Sequence, residues 1–371
     1  MTLANTRRNL YHVMTIEIPP DSAFLSGAGE IKQDWDRLAW HLDAHGLALD
    51  TIGAGAPRQF ASGFGNLNYL VHVDGKPMVL RRPPLGPIQP GSNDMGRESR
   101  ILMRLWKAFP LAPRCHHFAD DPDIIGAPFF IMEFRPGLVI GGTMPDGMAA
   151  DAGHGLGAMM VRTLAQFHAV DPVAIDLDTL GNPTDFLART LGGWVKRANA
   201  AWLGEPPAAL PFLANWLGER RPADSPPTLL HNDFKLDNLI LNPDTLAPVA
   251  LLDWDMGTRG DPLWDLAVCL AYWAEPSDPP CMLELDQMPT AGHDFPSRAD
   301  VAQAYADETG RDIADFRFHR VLAVLRLAVI FRQLHRRYDE GGTDDPRFAR
   351  FGGLSDGLLD FAVDVAHERY F

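Results

Sequence analysis

Cysteine is scarce in this sequence of 371 residues. The three cysteines, Cys115, Cys269 and Cys281, are far apart and odd in number. This pattern excludes a disulfide framework, and it lacks the closely spaced pairs of a zinc knuckle. A chain that does not depend on disulfides suits a reducing compartment, so we predict a cytoplasmic location.

Long apolar runs are also missing. The opening segment, MTLANTRRNLYHVM, has no run long enough for the hydrophobic region of a secretion signal. The longest late run, AVLRLAVIF, is interrupted by Arg326 and is too short to span a bilayer. We therefore expect neither export nor a membrane partner.

Positive charge is in deficit, because 33 Lys and Arg stand against 48 Asp and Glu and give a net charge of −15. Nucleic-acid binding depends on phosphate contacts from Lys and Arg, so this balance argues against a nucleic-acid partner. Apolar residues, in contrast, make up 46% of the chain and include nine tryptophans. Such a composition can build a sizeable core, and it excludes wholesale disorder.

The pattern of residues changes along the chain and predicts two lobes. Residues 1–30 look like an irregular arm. Residues 31–135 are β-rich with one helix and form the predicted N-lobe, and residues 136–371 become mainly helical after about residue 150 and form the predicted C-lobe. Pro136-Gly137 predicts a hinge between them. We therefore predict an α+β fold with a small antiparallel-sheet N-lobe and a larger, mainly helical C-lobe.

Two local patterns refine the N-lobe. Residues 31–46 predict an amphipathic helix, because Ile31, Trp35, Leu38 and Leu42 recur at helical spacing. Asp74-Gly75 lies between the strand-like segments NYLVHV and MVLR and is a hairpin signal.

One β-like segment in the helical half carries the strongest chemical motif. His231, Asp233 and Asn238 have the H-x-D-x-x-x-x-N spacing of a kinase catalytic loop, where a carboxylate deprotonates a hydroxyl and an Asn oxygen binds magnesium. Positions 238 and 253 are symmetric about the turn-rich segment 243–247, so Asn238 and Asp253 should lie side by side in a hairpin. Their oxygens suit a hard cation that carries a nucleotide phosphate.

The neighbours of this motif are less specific. Lys235 could neutralise charge on a transferring phosphoryl group, although a solvated lysine gives the same pattern. We interpret His231 as structural rather than as a proton shuttle. Asp255 fits a further metal ligand and a loop acid equally well, and both interpretations stay open.

Small residues before the first long strand are candidates for phosphate binding through backbone N–H groups. A simple turn has the same composition. The candidates are Ser62, Gly63, Gly65 and Asn66.

Glu98 is the more informative residue of the N-lobe. It shares a helical face with four apolar residues, Ile101, Leu102, Leu105 and Phe109. A carboxylate on such a face needs a partner, because unpaired burial costs several kcal/mol. We expect Arg81, at the end of a strand, to be that partner, although Glu98 could also act as a helix cap.

The glycine loop, strand cation, helix carboxylate, hinge, catalytic-loop motif and later aspartate follow the order found in protein-kinase-like phosphotransferases. HNDFKLDN and LLDWDMGTRGDPLWDLA resemble the aminoglycoside/choline phosphotransferase family, over about residues 31–340. The resemblance implies a protein-kinase-like two-lobed fold, in which the N-lobe binds the nucleotide and the C-lobe holds the catalytic loop and the substrate pocket. It implies Asp233 as catalytic base, Asn238 and Asp253 as ligands of Mg²⁺, and ATP as the phosphoryl donor.

Other segments, QFASGFGNLNYLVHVDGKPMVLRRPP, IIGAPFFIMEFRPG and RLAVIFRQLHRRY, resemble the branch related to kinase domains that accompany acyl-CoA dehydrogenases, which is associated with hydroxyacyl-CoA thioesters. This resemblance implies Arg81 at the position of the nucleotide-phosphate lysine, Glu98 as its helix partner, and Asp265 as a brace for the catalytic loop. It implies an adenine hinge formed by Met132, Glu133 and Phe134.

Two residues depart from the broader kinase pattern. Asn232 replaces a glycine of the loop, and Arg81 replaces a lysine, keeping the charge but contacting phosphate as a fork. An acyl-CoA dehydrogenase of the same pathway would be a separate chain.

Our first hypothesis is a small-molecule kinase that phosphorylates the hydroxyl of a hydroxyacyl-CoA. An aminoglycoside- or choline-type kinase is the alternative of the same class, and a non-catalytic nucleotide-binding scaffold is the alternative from another class. A protein kinase is disfavoured, because no A-P-E motif follows Asp253. The arginines of residues 313–338 fit either contacts to coenzyme A phosphates or a solvated face.

Overall fold

The computed structural model describes residues 18–61, 65–86, 93–202, 206–342 and 346–371. Most of the predicted arm lies outside these ranges, and so do Ser62 and Gly63 of the predicted phosphate loop. The described end of the arm packs along the N-lobe, where the ring of Phe24 stacks on that of Phe60 at 4.9 Å.

Five antiparallel strands of the N-lobe form one sheet with the order β1-β2-β3-β5-β4, and four short strands of the C-lobe pair as β6-β9 and β7-β8. The strands are β1 (Arg58–Gln59), β2 (Leu67–Val73), β3 (Lys76–Arg82), β4 (Cys115–Ala119), β5 (Phe129–Glu133), β6 (Thr228–Leu230), β7 (Leu239–Leu241), β8 (Pro248–Leu251) and β9 (Thr258–Gly260).

Three helices accompany the N-lobe sheet, and the remaining described helices build the C-lobe, so the architecture is the predicted α+β arrangement. The helices are α1 (Trp35–Asp43), α2 (Met95–Leu105), α3 (Pro122–Ile125), α4 (Ala152–His168), α5 (Phe186–Ala201), α6 (Ala209–Glu219), α7 (Pro262–Ala271), α8 (Pro280–Leu283), α9 (Arg298–Thr309), α10 (Phe316–Asp339) and α11 (Phe351–Ala366). Short 3-10 helices occur at Asp21–Ala23, Gly27–Gly29, Gly53–Gly55, Leu236–Asn238 and Pro346–Arg350.

The β2-β3 hairpin has the predicted turn. Asp74 and Gly75 both adopt positive φ, 52° and 69°. Two consecutive left-handed residues fit the right-handed twist of the flanking strands, and Asp and Gly tolerate that conformation best. Val73 therefore pairs with Lys76, and this turn sets the register of the whole hairpin.

The N-lobe sheet has two different faces. In β5, Phe130 and Met132 belong to the core cluster that includes α2, whereas Phe129 and Ile131 pack in the cluster that includes α1. This alternation follows the period of two in a β-strand. The α2 face is the one that looks toward the C-lobe.

The end of β3 places two arginines on these opposite faces. Arg81 contacts Glu98 of α2, and Arg82 donates to the carbonyl oxygen of Ile125 at the end of α3. Both guanidinium groups are buried.

The helix predicted for residues 31–46 is shorter than expected. It begins after Asp34, whose side chain accepts a hydrogen bond at 3.0 Å from the backbone N–H of Arg37. Ile31 precedes the helix and donates its N–H to the Gln59 side chain at 2.7 Å, so it does not share the helical face of Leu38. The Asp34 cap determines this boundary, because it satisfies an N–H that the first helical turn leaves free.

Close packing follows the predicted hinge. A Cβ at Gly137 would lie 2.5 Å from Ile240 Cγ2 and 2.5 Å from the Leu241 oxygen, so only glycine fits without displacement. The next residue, Leu138, exchanges two 2.8 Å backbone hydrogen bonds with Leu241 of β7. The connection between the lobes is therefore fixed to the hairpin that follows the catalytic-loop motif.

The C-lobe is organised around α10, which packs against α5, α7 and α11. Most of the first two thirds of α10 is buried, including Arg320 and Arg326. Within the described ranges, no helix has an apolar stretch long enough to cross a bilayer.

Candidate active site

The catalytic-loop motif lies between β6 and β7, and one buried carboxylate, that of Asp265, binds its backbone. Asp265, in the first turn of α7, accepts hydrogen bonds from the backbone N–H groups of His231 and Asn232, each at 2.7 Å. His168 Nε2 lies 3.2 Å from the same carboxylate, and His168 Nδ1 lies 2.6 Å from the Tyr305 hydroxyl. The brace that the resemblance implied for Asp265 is thus present, and α4 and α9 support it.

Asn232 occupies a strained backbone position. Its φ is 65°, in the left-handed region that Gly adopts freely and Asn tolerates better than most residues. The side-chain amide donates to the Met256 oxygen at 2.9 Å and accepts from Trp264 Nε1 at 2.8 Å. These bonds explain how asparagine can replace the usual glycine here.

His231 has a structural role in this geometry. Its Nε2 lies 2.8 Å from the Leu252 carbonyl oxygen, to which it donates, and its Nδ1 accepts from the Asp233 N–H at 3.3 Å. Nε2 therefore joins the loop to the strand end beyond β8, and Nδ1 holds the loop itself, which agrees with the structural interpretation of His231.

Asp233 is a partly buried carboxylate, with its side chain 18% exposed, and it is surrounded by donors and cations. Asn238 Nδ2 donates to its Oδ2 at 3.1 Å and to its carbonyl oxygen at 2.7 Å, and Lys235 Nζ lies 3.7 Å from Oδ2. Burial alone would raise the pKa of Asp233, but Lys235, Arg326 and the hydrogen bond from Asn238 hold that pKa below its usual range. Asp233 is therefore ionised at neutral pH and can accept a proton.

Lys235 is not a solvated lysine. Its Nζ makes a 3.0 Å ion pair with Asp237 and lies 5.5 Å from the centre of the Tyr272 ring. Burial disfavours its charge, but Asp233, Tyr272 and Asp237 outweigh burial and raise the pKa of Lys235. A fixed positive charge therefore lies beside Asp233.

The β7-β8 hairpin brings Asn238 near Asp253 with a register that differs from the expectation. Leu239 pairs with Leu251, and the Leu252 N–H donates to the Asn238 oxygen at 2.8 Å. Asn238 therefore lies opposite Leu252 rather than Asp253. The pair nearest the turn, Leu241 with Pro248, is centred one residue earlier in the chain than the symmetric reading assumed. The irregularity next to Leu241 adds one residue to β8 and offsets only part of this difference.

Asp253 is directed toward the N-lobe instead. Its φ of 68° turns the chain just after the hairpin, and its Oδ1 forms an ion pair with Arg81 Nη2. The same guanidinium donates through Nε to Glu98 Oε2 at 3.0 Å, and Glu98 Oε1 accepts from the Trp254 N–H at 3.3 Å. The predicted Arg81–Glu98 pair is present, and it connects the N-lobe to the segment around Asp253.

Negative charge exceeds positive charge around Arg81. Burial, together with Asp253 and Asp255, raises the pKa of Glu98 to about 8 against the opposing effect of Arg81. Burial and Asp253 also raise the pKa of Asp255 to about 6. Arg81 is therefore the shared positive partner of three carboxyl groups, those of Glu98, Asp253 and Asp255. A bound cation would compensate the excess negative charge.

The donors fit a hard divalent cation. The Asn238 amide nitrogen is used by Asp233, which leaves its oxygen available, and the Asp253 side chain is 38% exposed. Asp237 Oδ1 is buried and has no hydrogen-bond partner among the described residues. Amide and carboxylate oxygens are the ligands that Mg²⁺ prefers. Asn238 and Asp253 thus remain the candidate ligands, with Asp255 close enough to add charge.

Of the predicted phosphate loop, the structure describes Gly65 and Asn66. Asn93 Nδ2 donates to the Gly65 oxygen at 2.6 Å. The Asn66 amide lies against Arg81, with its oxygen 2.7 Å from Arg81 Nη2 in the orientation that satisfies both groups. Asn66 therefore joins the contacts that hold Arg81.

The predicted adenine hinge follows β5. Met132 faces the core next to Cys115 of β4, and the Phe134 ring packs on Phe60 at 6.4 Å. Glu133 Oε2 pairs with Arg135 at 2.6 Å and accepts from the Arg114 N–H at 3.1 Å, so its side chain already has partners. The Glu133 N–H donates to the Arg114 oxygen at 3.0 Å, so a nucleotide contact at Glu133 would involve its carbonyl oxygen.

Arg326 is a site residue whose location the sequence did not reveal. It is buried, and its Nη2 donates to the Asn232 oxygen at 3.0 Å. It also lowers the pKa of Asp233. The signal that could have identified it is an arginine inside the apolar run AVLRLAVIF, since a buried charge there needs a specific partner.

Comparison with known proteins connects this geometry to a family. The model of the phosphotransferase enzyme family matches residues 57–302, which is more than half of the chain. The chain belongs to this family. The predicted relationship to these kinase-like enzymes is confirmed, and so is the enzyme class, a phosphotransferase with a hydroxyl acceptor.

Some relatives with similar sequences are much longer than this chain. The mouse (Mus musculus) protein named acyl-CoA dehydrogenase family member 10 is 30% identical over 315 residues, which are 84% of this chain and 29% of that protein. The chicken (Gallus gallus) acyl-CoA dehydrogenase family member 11 is 28% identical over 332 residues, 88% of this chain and 42% of that protein. The chain thus spans less than half the length of these curated relatives.

Solved structures of this phosphotransferase fold cover nearly the whole chain. A Ralstonia eutropha protein assigned to the aminoglycoside phosphotransferases superposes with a TM-score of 0.75 at 24% identity, over 91% of this chain and 99% of that one. Plasmodium vivax ethanolamine kinase gives a TM-score of 0.56 at 13% identity, over 88% and 86%. These likenesses confirm the predicted two-lobed, kinase-like fold.

Proposed function

We propose that the protein is an ATP- and Mg²⁺-dependent kinase that transfers the γ-phosphoryl group to a hydroxyl of a small molecule. The observation that carries this proposal is the ionised Asp233, flanked by Lys235 and Asn238, in a loop next to the Asp253–Arg81 ion pair. A proton acceptor, a fixed cation and oxygen donors for a metal are the parts that phosphoryl transfer requires. A related structure, of aminoglycoside phosphotransferase APH(2'')-Ib, contains ADP.

Asp233 accepts a hydrogen bond from the acceptor hydroxyl and orients its oxygen toward the γ-phosphorus. As the new O–P bond forms and the bond to the leaving ADP oxygen breaks, the hydroxyl proton passes to Asp233. Lys235 stays charged and offsets the negative charge on the phosphoryl oxygens. Bound Mg²⁺, held by Asn238 and Asp253, would supply further charge neutralisation on the nucleotide phosphates.

The N-lobe residues bind the nucleotide in this proposal. Arg81, fixed by Glu98, contacts a phosphate through its guanidinium. The predicted phosphate-binding residues, Ser62, Gly63, Gly65 and Asn66, act through their backbone N–H groups in this proposal. The backbone of Met132, Glu133 and Phe134 receives the adenine.

We further propose a hydroxyacyl-CoA thioester as the acceptor. The names of the curated relatives support this choice. The charge near Asp233 supports it as well: Arg326 packs 5.7 Å from the Trp194 ring, and the exposed Arg197 packs 4.6 Å from the same ring. These residues extend positive charge from the catalytic loop to the surface, which favours coenzyme A phosphates over a polycationic aminoglycoside.

The reaction is tested by measuring ADP release from Mg·ATP with hydroxyacyl-CoA thioesters of different chain length and hydroxyl position, an aminoglycoside, choline and ethanolamine. We expect turnover with a thioester, and mass spectrometry should find one added phosphate on it. Turnover only with a cationic acceptor would contradict the thioester proposal and leave the kinase proposal intact.

A variant of the catalytic base separates the kinase from a nucleotide-binding scaffold. Asp233→Asn should lower kcat by at least about 100-fold while Mg·ATP binding is retained, since Asp233 acts on the acceptor. Asp244→Asn, an exposed aspartate in the β7-β8 turn, is the control and should behave as the unchanged protein. Nucleotide binding without turnover on any acceptor would favour the scaffold.

The relatives' names also support an acyl-CoA dehydrogenase in the same reaction sequence. A cytoplasmic location stays a prediction from the cysteine content.

A further inference from the structure

Three histidines meet on the outer side of the N-lobe. His41 lies in the last turn of α1, His45 follows in the turn after it, and His117 lies in β4. His117 pairs with Ile131, whose side chain packs on the α1 face of the sheet. The cluster is thus on the opposite face of the sheet from Glu98 and is not part of the phosphotransfer site.

The geometry of the cluster is that of metal ligands. One nitrogen of each ring lies within 4.8 Å of one nitrogen of both other rings, and the Nε2 atoms of His41 and His117 are 3.0 Å apart. Two imidazole nitrogens on a tetrahedral Zn²⁺, each about 2.0–2.1 Å from the ion, are about 3.3 Å apart. Closing the site therefore requires mainly a rotation of the exposed His45.

The surroundings favour ligation as well. His45 Nδ1 donates to the His41 carbonyl oxygen at 2.8 Å, which leaves the Nε2 lone pair free, as is usual for a ligating histidine. The Phe129 ring lies 6.1 Å from His41 and 6.0 Å from His117 and closes the base of the cluster. The His-x-x-x-His spacing of His41 and His45 also lies within the range of zinc sites.

We propose that His41, His45 and His117 form a binding site for a borderline transition-metal ion such as Zn²⁺, with water as the fourth ligand. Three coordinate bonds from Nε2 lone pairs form while hydrated Zn²⁺ releases all of its aqua ligands except the one that stays as the fourth ligand, and the Nε2 protons of the rings that carry one move to Nδ1. No electron is transferred. Because the ligands are imidazoles, the site selects Zn²⁺, Co²⁺ or Ni²⁺ over Mg²⁺. The ion joins the end of α1 to the edge strand β4 and stabilises the N-lobe.

Calorimetric titration of the EDTA-treated full chain, prepared without a histidine tag, tests this site. ZnCl₂ is added in the presence of excess MgCl₂, so that oxygen-ligand sites are occupied. We expect one equivalent of Zn²⁺ to bind, a higher unfolding temperature when it is bound, and the intense visible bands of four-coordinate Co²⁺ when CoCl₂ replaces ZnCl₂.

Two substitutions identify the ligands. His45→Gln should weaken Zn²⁺ binding by at least about tenfold, whereas His116→Gln, at the exposed neighbour of His117, should leave it unchanged. His45 is exposed, so its variant should fold, which equal unfolding temperatures of the metal-free proteins would verify. Absence of saturable binding would overturn the proposal, and so would equal affinity in His45→Gln and the unchanged protein.

Discussion

Replacing Asp265 by asparagine tests whether the brace beneath the catalytic loop matters for catalysis as well as for stability. Asp265 is fully buried and accepts from the N–H groups of His231 and Asn232, each at 2.7 Å. Asparagine keeps one acceptor oxygen and turns the other into an NH₂ group. One backbone donor of the loop would then face another donor.

The magnitude follows from these bonds. A hydrogen bond to a charged group contributes about 1.5–3 kcal/mol, and a buried unpaired N–H costs about 1–3 kcal/mol. We therefore expect Asp265→Asn to lower the free energy of unfolding by about 2–4 kcal/mol. The loop also carries Asp233, and a displacement of about 1 Å at a reacting group can reduce the rate about 100-fold, so kcat should fall by a similar factor.

The chain offers a matched control four residues earlier. Asp261 is equally buried, accepts from the N–H groups of Ser225 and Leu263 at 2.8 and 2.9 Å, and lies 3.6 Å from a buried histidine, His319. None of these groups belongs to the catalytic loop. Asp261→Asn should thus cost similar stability but leave kcat of the folded enzyme nearly unchanged.

Urea unfolding followed by tryptophan fluorescence gives the stabilities, and ADP release under folded conditions gives kcat. Equal losses of kcat in the Asp265→Asn and Asp261→Asn variants would refute the reasoning, because the effect would then follow stability alone. Unchanged kcat in Asp265→Asn would refute it too.

Three further changes test other parts of the molecule. Gly137→Ala should destabilise the fold by about 1–3 kcal/mol, because the added Cβ would overlap β7. Gly141→Ala is the control and should not destabilise the fold, because its added Cβ meets open space. Equal unfolding temperatures of the two variants would contradict this prediction. Burial lowers the pKa of His168. As the pH falls below about 6.5, His168 therefore takes up a proton in the unfolded chain but stays neutral in the folded chain. The free energy of unfolding should therefore fall from pH 7 to pH 5, and it should fall less steeply with pH in the His168→Gln variant. The same pH dependence in both proteins would exclude a contribution from His168. Removal of Mg²⁺ by EDTA should abolish turnover reversibly, and Asp253→Asn should raise the Mg²⁺ concentration needed by at least about tenfold; an unchanged requirement would exclude Asp253 as a ligand.

Local sequence patterns predicted features that depend on local chemistry. Asp74-Gly75 predicted a turn whose φ values only a few residue types adopt easily. Glu98 predicted a partner, because the helical spacing of its neighbours placed a carboxylate in the core, and Arg81 fills that role. Both inferences needed only the period of an element and the cost of an unpaired charge.

Features that depend on tertiary contacts were harder to predict. The β7-β8 turn is centred one residue earlier than the symmetric reading assumed, and the irregular pairing beside Leu241 offsets only part of this difference; no composition signal marks either feature. The burial of Arg326 depends on the distant carbonyl of Asn232, which helix spacing cannot reveal. The site therefore differs from its predicted form where segments remote in sequence meet.

Two consecutive arginines in β3 make the charge on each face of the N-lobe sheet depend on the register of this strand. Arg81 and Arg82 face opposite sides of the sheet, one toward Glu98 and the other toward Ile125. Because side chains alternate at every step, a slip of β3 by one residue against its neighbouring strands would exchange the two guanidinium groups between the faces of the sheet. The Asp74-Gly75 turn, which sets this register, therefore decides which arginine faces Glu98.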